Sequence, residues 1–273
     1  MKSVVVSGSF DDLRSRHVRF LERAANLGVL HVLLWSDADV RRISGKDPKF
    51  PEGERRYLLE AIRFVNHVAL SRAGVNPDAV PSLPGVAPAL WVVDEAADDP
   101  RKRAAAAEAG IAYRALKAAG LSGFTAPTSR IRPARPGRKK VIVTGCFDWF
   151  HSGHVRFFEE CAGLGDLYVI VGHDANLRML KGEGHPLFPE TERRYQVSCV
   201  RHVHQALISS GHGWMDAAPE IARLKPDIYA VNEDGDKPEK REFCAAHGLR
   251  YVVLKRAPAA GLPPRNSTHL RGF

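Results

Sequence analysis

The chain has 273 residues, which is long for one domain and sufficient for two, since domains commonly run to about 100–150 residues. Its 44% hydrophobic and 26% charged residues are those of an ordinary globular protein, and no apolar run reaches the roughly 18 residues of a membrane span. Six positive charges lie together in residues 126–140, so the net charge of +9 provides no broad basic face for nucleic acid.

Cysteine usage and the N-terminal segment bear on the compartment. Cys146, Cys161, Cys199 and Cys244 have neither the spacing of a zinc site nor that of a disulfide framework. The apolar run at residues 4–6 is too short for a secretory signal and predicts a first β-strand instead. We therefore expect a cytoplasmic protein whose cysteines are small buried apolar side chains.

The sequence repeats itself at an offset of 137 or 138 residues. The matched pairs, in chain order, are residues 6–11 with 143–148, 17–20 with 154–157, 50–57 with 188–195, 91–95 with 229–233 and 111–116 with 249–254. This pattern predicts duplication of a whole domain, with a degenerate copy in residues 1–125 and a second copy in residues 140–273. The stretch between them, residues 126–139, is rich in Pro and Arg and predicts a solvated linker.

Strands and helices are predicted to alternate along each copy. In the second copy the predicted elements are a strand at 141–143, a helix at 154–164, a strand at 167–171, a helix at 190–202, an extended segment at 206–208, a helix at 216–224, a strand at 228–231, a helix at 237–247 and a strand at 251–254. Continuous apolar strands between helices indicate an α/β fold with two tandem Rossmann-like parallel sheets. Ligands bind such sheets at the carboxyl ends of the strands.

The most informative stretch is TGCFDWFHSGH, residues 144–154, between the first strand of the second copy and its first helix. His151 and His154 are three residues apart, so at the start of a helix they point the same way. Gly153 lets a ligand approach the backbone, and the free N–H groups of a first helical turn favour an anion. A surface pair or half of a metal site is the alternative for two histidines at this spacing. The glycines and the preceding strand favour a polyphosphate site.

Residues 145–154 fit the pattern G-x-F-D-x-x-H-x-G-H. In this the second copy resembles the cytidylyltransferase family of the H-x-G-H nucleotidyltransferase superfamily. The resemblance covers residues 140–273 and includes segments 165–174 and 189–194 as well as Lys181. It is partial at residues 265–271, where the family's intervening Gly-Ile is missing.

The resemblance implies that a CMP moiety moves from CTP to a phosphorylated small-molecule acceptor, with release of pyrophosphate and with Mg²⁺ carried by the nucleotide. It assigns catalytic roles to His151, His154 and Lys181, which would hold and neutralise the phosphates. The implied nucleotide-binding residues are Gly145, Cys146, Phe147, Asp148, Gly153, Arg265, Ser267 and Thr268. Asp148 would organise the loop or the metal. No resident metal site is predicted.

Two other functions compete with this prediction. Adenylyl transfer from ATP uses the same opening motif, and a non-catalytic nucleotide-binding or scaffold protein would explain the decay of the first copy. There Arg14 and Arg16 replace the first histidine and the glycine, and Ser44 stands in place of Lys181. We expect an inactive copy, or else a site rebuilt around arginine for an anionic effector. Assembly as a homodimer is left open.

Several further residues receive weaker expectations. His202 and His204 on a predicted strand could form a metal pair, although ordinary half-buried histidines are favoured. Arg193 and Arg194 at a helix start could bind phosphate or be solvated charges. The acidic loop at residues 232–236 could contact the base or the acceptor, although loop chemistry alone explains it.

Overall fold

The computed structural model describes residues 2–124, 130–267 and 270. The chain divides into two compact units, Met1–Gly123 (unit 1) and Phe124–Phe273 (unit 2). None of the described helices is both long enough and apolar enough to cross a membrane.

Unit 1 contains a five-stranded parallel sheet with the order β3-β2-β1-β4-β5. The strands are β1 (Ser3–Gly8), β2 (Val29–Leu34), β3 (His67–Leu70), β4 (Leu90–Asp94) and β5 (Ala112–Leu116). The helices are α1 (Ser15–Ala25), α2 (Asp37–Ser44), α3 (Glu52–Ala61) and α4 (Pro100–Glu108).

Unit 2 repeats this architecture, with the strand order β8-β7-β6-β9-β10, again all parallel. The strands are β6 (Lys140–Gly145), β7 (Asp166–Val171), β8 (Val203–Ile208), β9 (Ile228–Asn232) and β10 (Arg250–Leu254). The helices are α5 (Ser152–Leu164), α6 (Asp174–Lys181), α7 (Glu190–Ser198), α8 (Ala218–Leu224) and α9 (Pro238–Ala246). The predicted α/β fold with two parallel sheets is confirmed.

The apolar strands explain why unit 2 forms a parallel sheet. All six residues of β7 are buried, and so are residues 141–143 of β6. Strands buried on both faces need helices on each side, which the alternation of strands and helices supplies. Because β6 is the central strand, with β7 on one side and β9 on the other, the sheet has its switch point at the carboxyl end of β6.

The segment before β6, predicted to be a solvated linker, is largely exposed in its described part but is also bonded to unit 2. Its described part, residues 130–139, lies against unit 2 through the side chain of Gln205. The Gln205 amide accepts from the backbone N–H of Arg132 and donates to the carbonyl of Arg130, both at 2.8 Å. The Tyr168 hydroxyl donates to the carbonyl of Arg132 at 2.7 Å. These polar partners on β7 and β8 order a stretch that composition alone marks as solvated.

Asp166 at the amino end of β7 holds the same segment more strongly. Its carboxylate is fully buried and accepts from the backbone N–H of Arg135 at 2.7 Å. The guanidinium groups of Arg135 and Arg138 also bind it, and their bonds outweigh burial, so the pKa of Asp166 is well below its usual range. Two exposed arginines of the basic segment are thus paired with one buried carboxylate.

Two predicted helix boundaries also differ. The helix predicted to reach residue 202 ends at Ser198, because buried Cys199 and Val200 are followed at once by the turn into β8. The helix predicted from residue 216 begins at Ala218. No helix was predicted where α6 lies, although Lys181 at its end is a predicted site residue.

Candidate active site

The loop that leaves β6 is shaped by a close contact between Gly145 and Phe147. Phe147 adopts a left-handed backbone conformation (φ 53°), which turns its ring back over the end of the strand. A Cβ atom on Gly145 would lie 2.7 Å from that ring, so only glycine fits. The Phe147 ring then packs edge-on against His154, with 5.2 Å between the ring centroids. The sequence motif therefore encodes a rigid turn that positions a histidine.

Asp148 anchors the loop opposite this turn. Its buried carboxylate accepts the backbone N–H groups of Leu187 and Phe188 at 2.9–3.0 Å. In unit 1, Asp11 binds the backbone amides of residues 49 and 50 in the same way. The motif aspartate therefore ties the loop before α7 to the end of the central strand.

His151 and His154 form a stacked pair at the start of α5, with ring centroids 3.9 Å apart. Nδ1 of His151 accepts from the backbone N–H of Gly153 at 3.1 Å, and Nδ1 of His154 accepts from the backbone N–H of His151 at 3.4 Å. Since Nδ1 is an acceptor in both rings, each neutral imidazole carries its proton on Nε2. The pair thus presents two Nε2–H donors.

Both imidazoles are neutral at pH 7. Burial lowers the pKa of His151 to about 3, with a further contribution from Arg256 and Arg265. Burial also holds the pKa of His154 well below its ordinary value, and His151 and Arg256 act in the same direction. A phosphate entering the site would meet hydrogen-bond donors that are not already charged.

Ser267 completes the surroundings of His151. Its hydroxyl lies 3.2 Å from Nε2 of His151, which the tautomer makes the donor. The same hydroxyl donates to the carbonyl of Trp149 at 3.4 Å. The C-terminal segment is therefore attached to the histidine motif at the predicted serine.

Arg193 is neither a phosphate ligand nor a solvated charge in this structure. Its side chain is fully buried in the scaffold of the site. Its acceptors, at 2.6–2.8 Å, are the carbonyls of Cys146, Gly172 and Phe188 and the carboxylate of Asp174. Arg55 of unit 1 makes the matching set of bonds. Both units therefore use this arginine for folding, because its four hydrogen bonds join the end of β6, the segment between β7 and α6, and the loop before α7.

A cavity of about 370 Å³ opens at the carboxyl ends of β6 and β9. Its lining brings together the predicted residues Gly145, Cys146, Phe147, Asp148, His151, Gly153, His154, Lys181 and Ser267. Arg265 lies instead on an adjoining cavity of about 270 Å³, whose lining shares Gly153, Phe157, Asn232, Arg256 and Asn266 with the first. Thr268 lies outside the described residues.

Sequence reasoning missed two cations of the cavity lining, Lys240 on α9 and Arg256 just after β10. Arg256 forms an ion pair with Asp234 and donates to the carbonyl of Arg265 at 2.9 Å. Asn232 and Asp234, from the acidic loop given only a minor role, also line the cavity. The available signal was position, because each of these residues follows a parallel strand at its carboxyl end or shortly beyond.

The other candidate metal ligands have ordinary partners. His204 lies on β8, where its Nε2 is 2.9 Å from the carbonyl of Pro133, and His202 lies in the preceding turn. Within the described ranges no group of three or more His, Cys, Asp or Glu side chains could hold a metal ion. The four cysteines, all within the described ranges, are thiols that form no disulfide.

Unit 1 differs at the same place in its fold. Arg16, which stands where Gly153 stands in unit 2, forms an ion pair with Asp94 in which one guanidinium nitrogen lies 2.8–2.9 Å from both carboxylate oxygens. Arg14, in place of His151, pairs with Asp12 at 2.7 Å. His17 keeps the backbone bond of His154, accepting from the N–H of Arg14 at 3.1 Å. The arginines of this copy are thus satisfied by its own carboxylates.

Comparisons with known proteins agree with the geometry of unit 2. Residues 142–259 match the family model described as cytidylyltransferase-like. An FAD synthase of Ferroglobus placidus is 37% identical over 120 residues, which are 43% of this chain and 75% of that protein. An FAD synthase of Archaeoglobus profundus is 40% identical over 42% of this chain and 73% of that protein.

Two further similarities are more limited in extent. The bifunctional protein HldE of Citrifermentans bemidjiense is 44% identical over 44% of this chain, which spans only 24% of that protein. A solved lipopolysaccharide core biosynthesis protein of Thermoplasma volcanium is 28% identical, with a TM-score of 0.39, over 44% of this chain and 99% of that one. With the match at residues 142–259 and relatives of this identity and coverage, the chain belongs to the cytidylyltransferase-like family of the nucleotidyltransferase superfamily and is an enzyme.

Proposed function

We propose that unit 2 transfers a nucleotidyl group from a nucleoside triphosphate to a phosphorylated small-molecule acceptor and releases pyrophosphate. The observation that carries this proposal is the stacked pair of neutral imidazoles at the start of α5, which shares one cavity with Lys181. Paired N–H donors, a helix N-terminus and nearby cations together favour a polyphosphate.

The reaction is a direct displacement at phosphorus. A phosphate oxygen of the acceptor attacks the α-phosphorus of the nucleotide, and the bond to the β-phosphate oxygen breaks as pyrophosphate leaves. His154 donates Nε2–H to the phosphate oxygens, and His151 does so when a phosphate oxygen replaces the Ser267 hydroxyl as its acceptor. Lys181 neutralises the β- and γ-phosphates. The chain supplies position and compensating charge rather than a nucleophile, as is general for phosphoryl transfer.

Mg²⁺ fits this scheme as a companion of the nucleotide. Both oxygens of Asp148 already accept backbone N–H groups, and Asp234 is paired with Arg256. With these carboxylates already engaged, the ion would arrive on the phosphates, where it would offset their charge.

Two testable expectations concern the base of the donor nucleotide. The resemblance to the cytidylyltransferase family implies CTP as the donor, with CMP transferred to the acceptor. FAD synthase relatives favour ATP instead, because forming FAD joins an adenylyl group to a flavin phosphate. The second candidate therefore uses ATP and a flavin phosphate within the same cavity.

Unit 1 is proposed to be a non-catalytic copy from a tandem duplication. The matching strand order of the two sheets supports the duplication. The ion pair between Arg16 and Asp94 supports the loss of activity, because it joins the helix start to the end of β4 where unit 2 has Gly153 and Asn232. An anionic effector at this place would have to displace carboxylates of the chain itself.

Pyrophosphate release tests the proposal directly. The full chain is assayed with Mg²⁺ and CTP or ATP, each with flavin mononucleotide and with a panel of phosphorylated alcohols. Acceptor-dependent release with either nucleotide supports nucleotidyl transfer, and the preferred nucleotide decides between the two expectations. Binding of nucleotides without release under any pairing would favour the non-catalytic scaffold.

A further inference from the structure

The ammonium group of Lys240 has few hydrogen-bond acceptors and no paired carboxylate among the described residues around the cavity of unit 2. Its Nζ donates to the carbonyl of Gly235 at 3.0 Å and lies 6.0 Å from the centre of the Tyr229 ring. An ammonium has three N–H donors, and among the described residues this carbonyl is its one hydrogen-bond acceptor. The side chain is half-buried and lines the cavity.

The nearby carboxylates are committed elsewhere. Asp234 is paired with Arg256, and Asp236 binds Arg241 and the hydroxyl of Tyr251. Burial lowers the pKa of Lys240, followed by the charge of Lys237, while the two aspartates act in the opposite direction. A partly desolvated cation of this kind is stabilised when a ligand supplies oxygen atoms.

Unit 1 provides an internal comparison. Lys102 lies 138 positions earlier and donates to the carbonyl of Ala97 at 2.7 Å, which matches the Lys240 bond to Gly235. Asp78 also approaches Lys102, with 4.0 Å between nitrogen and oxygen. The carbonyl bond is therefore common to both units, whereas in unit 2 the described residues place no carboxylate at ion-pair distance from the lysine. A structural role for the lysine explains the carbonyl bond but does not explain why the lysine of unit 2 lacks a carboxylate at ion-pair distance.

The strand order fixes which part of a nucleotide lies beside Lys240. Lys181 ends α6, which follows β7, and Lys240 lies on α9, which follows β9. Strand β6, with the histidine pair after it, lies between β7 and β9. Phosphates that extend from the histidines toward Lys181, as the proposed function requires, leave the nucleoside on the β9 side.

Resting on that proposed function, we propose that Lys240 binds the nucleoside monophosphate portion of the nucleotide, which is the portion transferred. Its ammonium donates hydrogen bonds to oxygen atoms of this portion rather than to the departing pyrophosphate. Lys240 is then a binding residue that sets the position of the reacting phosphorus from the side opposite Lys181.

Isothermal titration calorimetry of the full chain tests this assignment. The ligands are CTP and ATP with Mg²⁺, CMP and AMP, and pyrophosphate with Mg²⁺. Lys240→Met keeps an apolar stem against Tyr229 and removes the charge, while Lys237→Met removes an exposed charge three residues away. We expect Lys240→Met to weaken the preferred triphosphate and its monophosphate roughly tenfold or more, with pyrophosphate unchanged. Lys237→Met should bind all three as the wild type does.

Three results would contradict the assignment. Equal triphosphate affinity in wild type and Lys240→Met would remove Lys240 from the binding site. Equal weakening of pyrophosphate and triphosphate would place it with the leaving group instead. Lys240→Arg should keep most of the monophosphate affinity, and an Arg variant as weak as the Met variant would contradict a role for the charge. Lys240→Gln replaces Lys240→Met if thermal unfolding shows that the latter does not fold.

The same titrations separate this inference from the proposed function. A wild-type chain that binds neither CTP nor ATP contradicts nucleotidyl transfer itself. A wild-type chain that binds one of them while Lys240→Met and Lys240→Gln bind it equally well contradicts only the inference about Lys240.

Discussion

The backbone N–H of Gly153 donates to Nδ1 of His151 at 3.1 Å, and this bond determines which imidazole nitrogen carries the proton. The proton stays on Nε2, which faces the hydroxyl of Ser267. The glycine of the motif is therefore tied to the hydrogen-bonding role of the histidine two residues before it.

Gly153→Ala is expected to reduce turnover by about tenfold or more. A Cβ atom at this position would lie 3.0 Å from the His151 ring, so the imidazole would have to move from its place beside the cavity. The measurement is the steady-state kcat/KM for pyrophosphate release. An alanine variant with full activity would contradict the role given to this contact.

Gly163→Ala is the matched control, because it makes the same change within helix α5. A Cβ atom there meets nothing within 4 Å, and alanine is favoured over glycine inside a helix by about 1 kcal/mol. We expect unchanged kcat/KM and an equal or higher melting temperature.

The pH dependence of stability should reveal the lowered pKa of His151. The unfolded imidazole takes up a proton below its ordinary pKa of 6.5, whereas the folded one does so only near 3. Between these values the unfolded state binds more protons, so stability falls as the pH drops through 6.5. From pH 7 to pH 5 this single group contributes a loss of about 2 kcal/mol.

His151→Asn should remove that part of the pH dependence, because asparagine does not titrate. The fold should be kept, because the asparagine side chain can still accept a hydrogen bond at the start of a helix. Urea titrations at pH 7 and pH 5 give the free energy of unfolding for the wild type, for this variant and for His212→Asn at an exposed histidine. The loss on acidification should shrink in His151→Asn and persist in His212→Asn. Identical pH dependence in all three proteins would show that His151 is not held neutral by burial.

Asp166→Asn should lower the stability of unit 2 by about 2–4 kcal/mol while leaving catalysis intact at permissive temperature. The buried carboxylate accepts several hydrogen bonds from Arg135 and Arg138. An amide has one acceptor oxygen and no charge, so it cannot take the place of the carboxylate. Its pKa is lowered in the folded state, so the stabilisation is present at neutral pH and is lost on acidification below the unfolded value of about 4.

Thermal unfolding of Asp166→Asn and of Glu239→Gln on the exposed face of α9 provides the comparison. Asp166 lies at the amino end of β7, at the opposite edge of the sheet from the cavity, so kcat/KM should match the wild type. A melting temperature unchanged from that of Glu239→Gln would mean that the basic segment is not attached through Asp166.

Local pattern was sufficient to predict the sheets and the turn that carries the two histidines. The strand at residues 141–143 and the glycine and histidine spacing of residues 145–154 fix a turn and a helix start through contacts between near neighbours. Phe147, Asp148 and the two histidines lie within eight residues, so their arrangement is encoded by a single segment.

Lys240 and Arg256 could not be found in this way, because they reach the cavity through strand order. Each lies some 90–100 residues from the histidine motif and has no neighbouring pattern that marks it. The prediction selected Arg265 as the arginine of the C-terminal segment, and the structure places Arg256 in the main cavity and Arg265 beside it. Both arginines follow β10. Their spacing along the chain does not indicate which of them lies in the main cavity.

The ordered basic segment escaped prediction for a different reason. Pro and Arg content is typical of solvated linkers, but a single buried carboxylate at residue 166 gives Arg135 and Arg138 partners. The sequence does not indicate that Asp166 is buried, so its pairing with the two arginines is known only from the structure. The buried role of Arg193 likewise depends on backbone carbonyls that carry no signature in the sequence.

The most direct test compares His154→Ala with His17→Ala, the histidines at matching positions of the two units. The measurement is steady-state pyrophosphate release with the preferred nucleotide and acceptor, with circular dichroism as the control for folding. Removing a donor that stabilises charge in the transition state costs about 10²–10³ in rate, so His154→Ala should lose nearly all activity. His17→Ala should retain the wild-type rate. Full activity in His154→Ala, or equal losses in both variants, would contradict catalysis by unit 2.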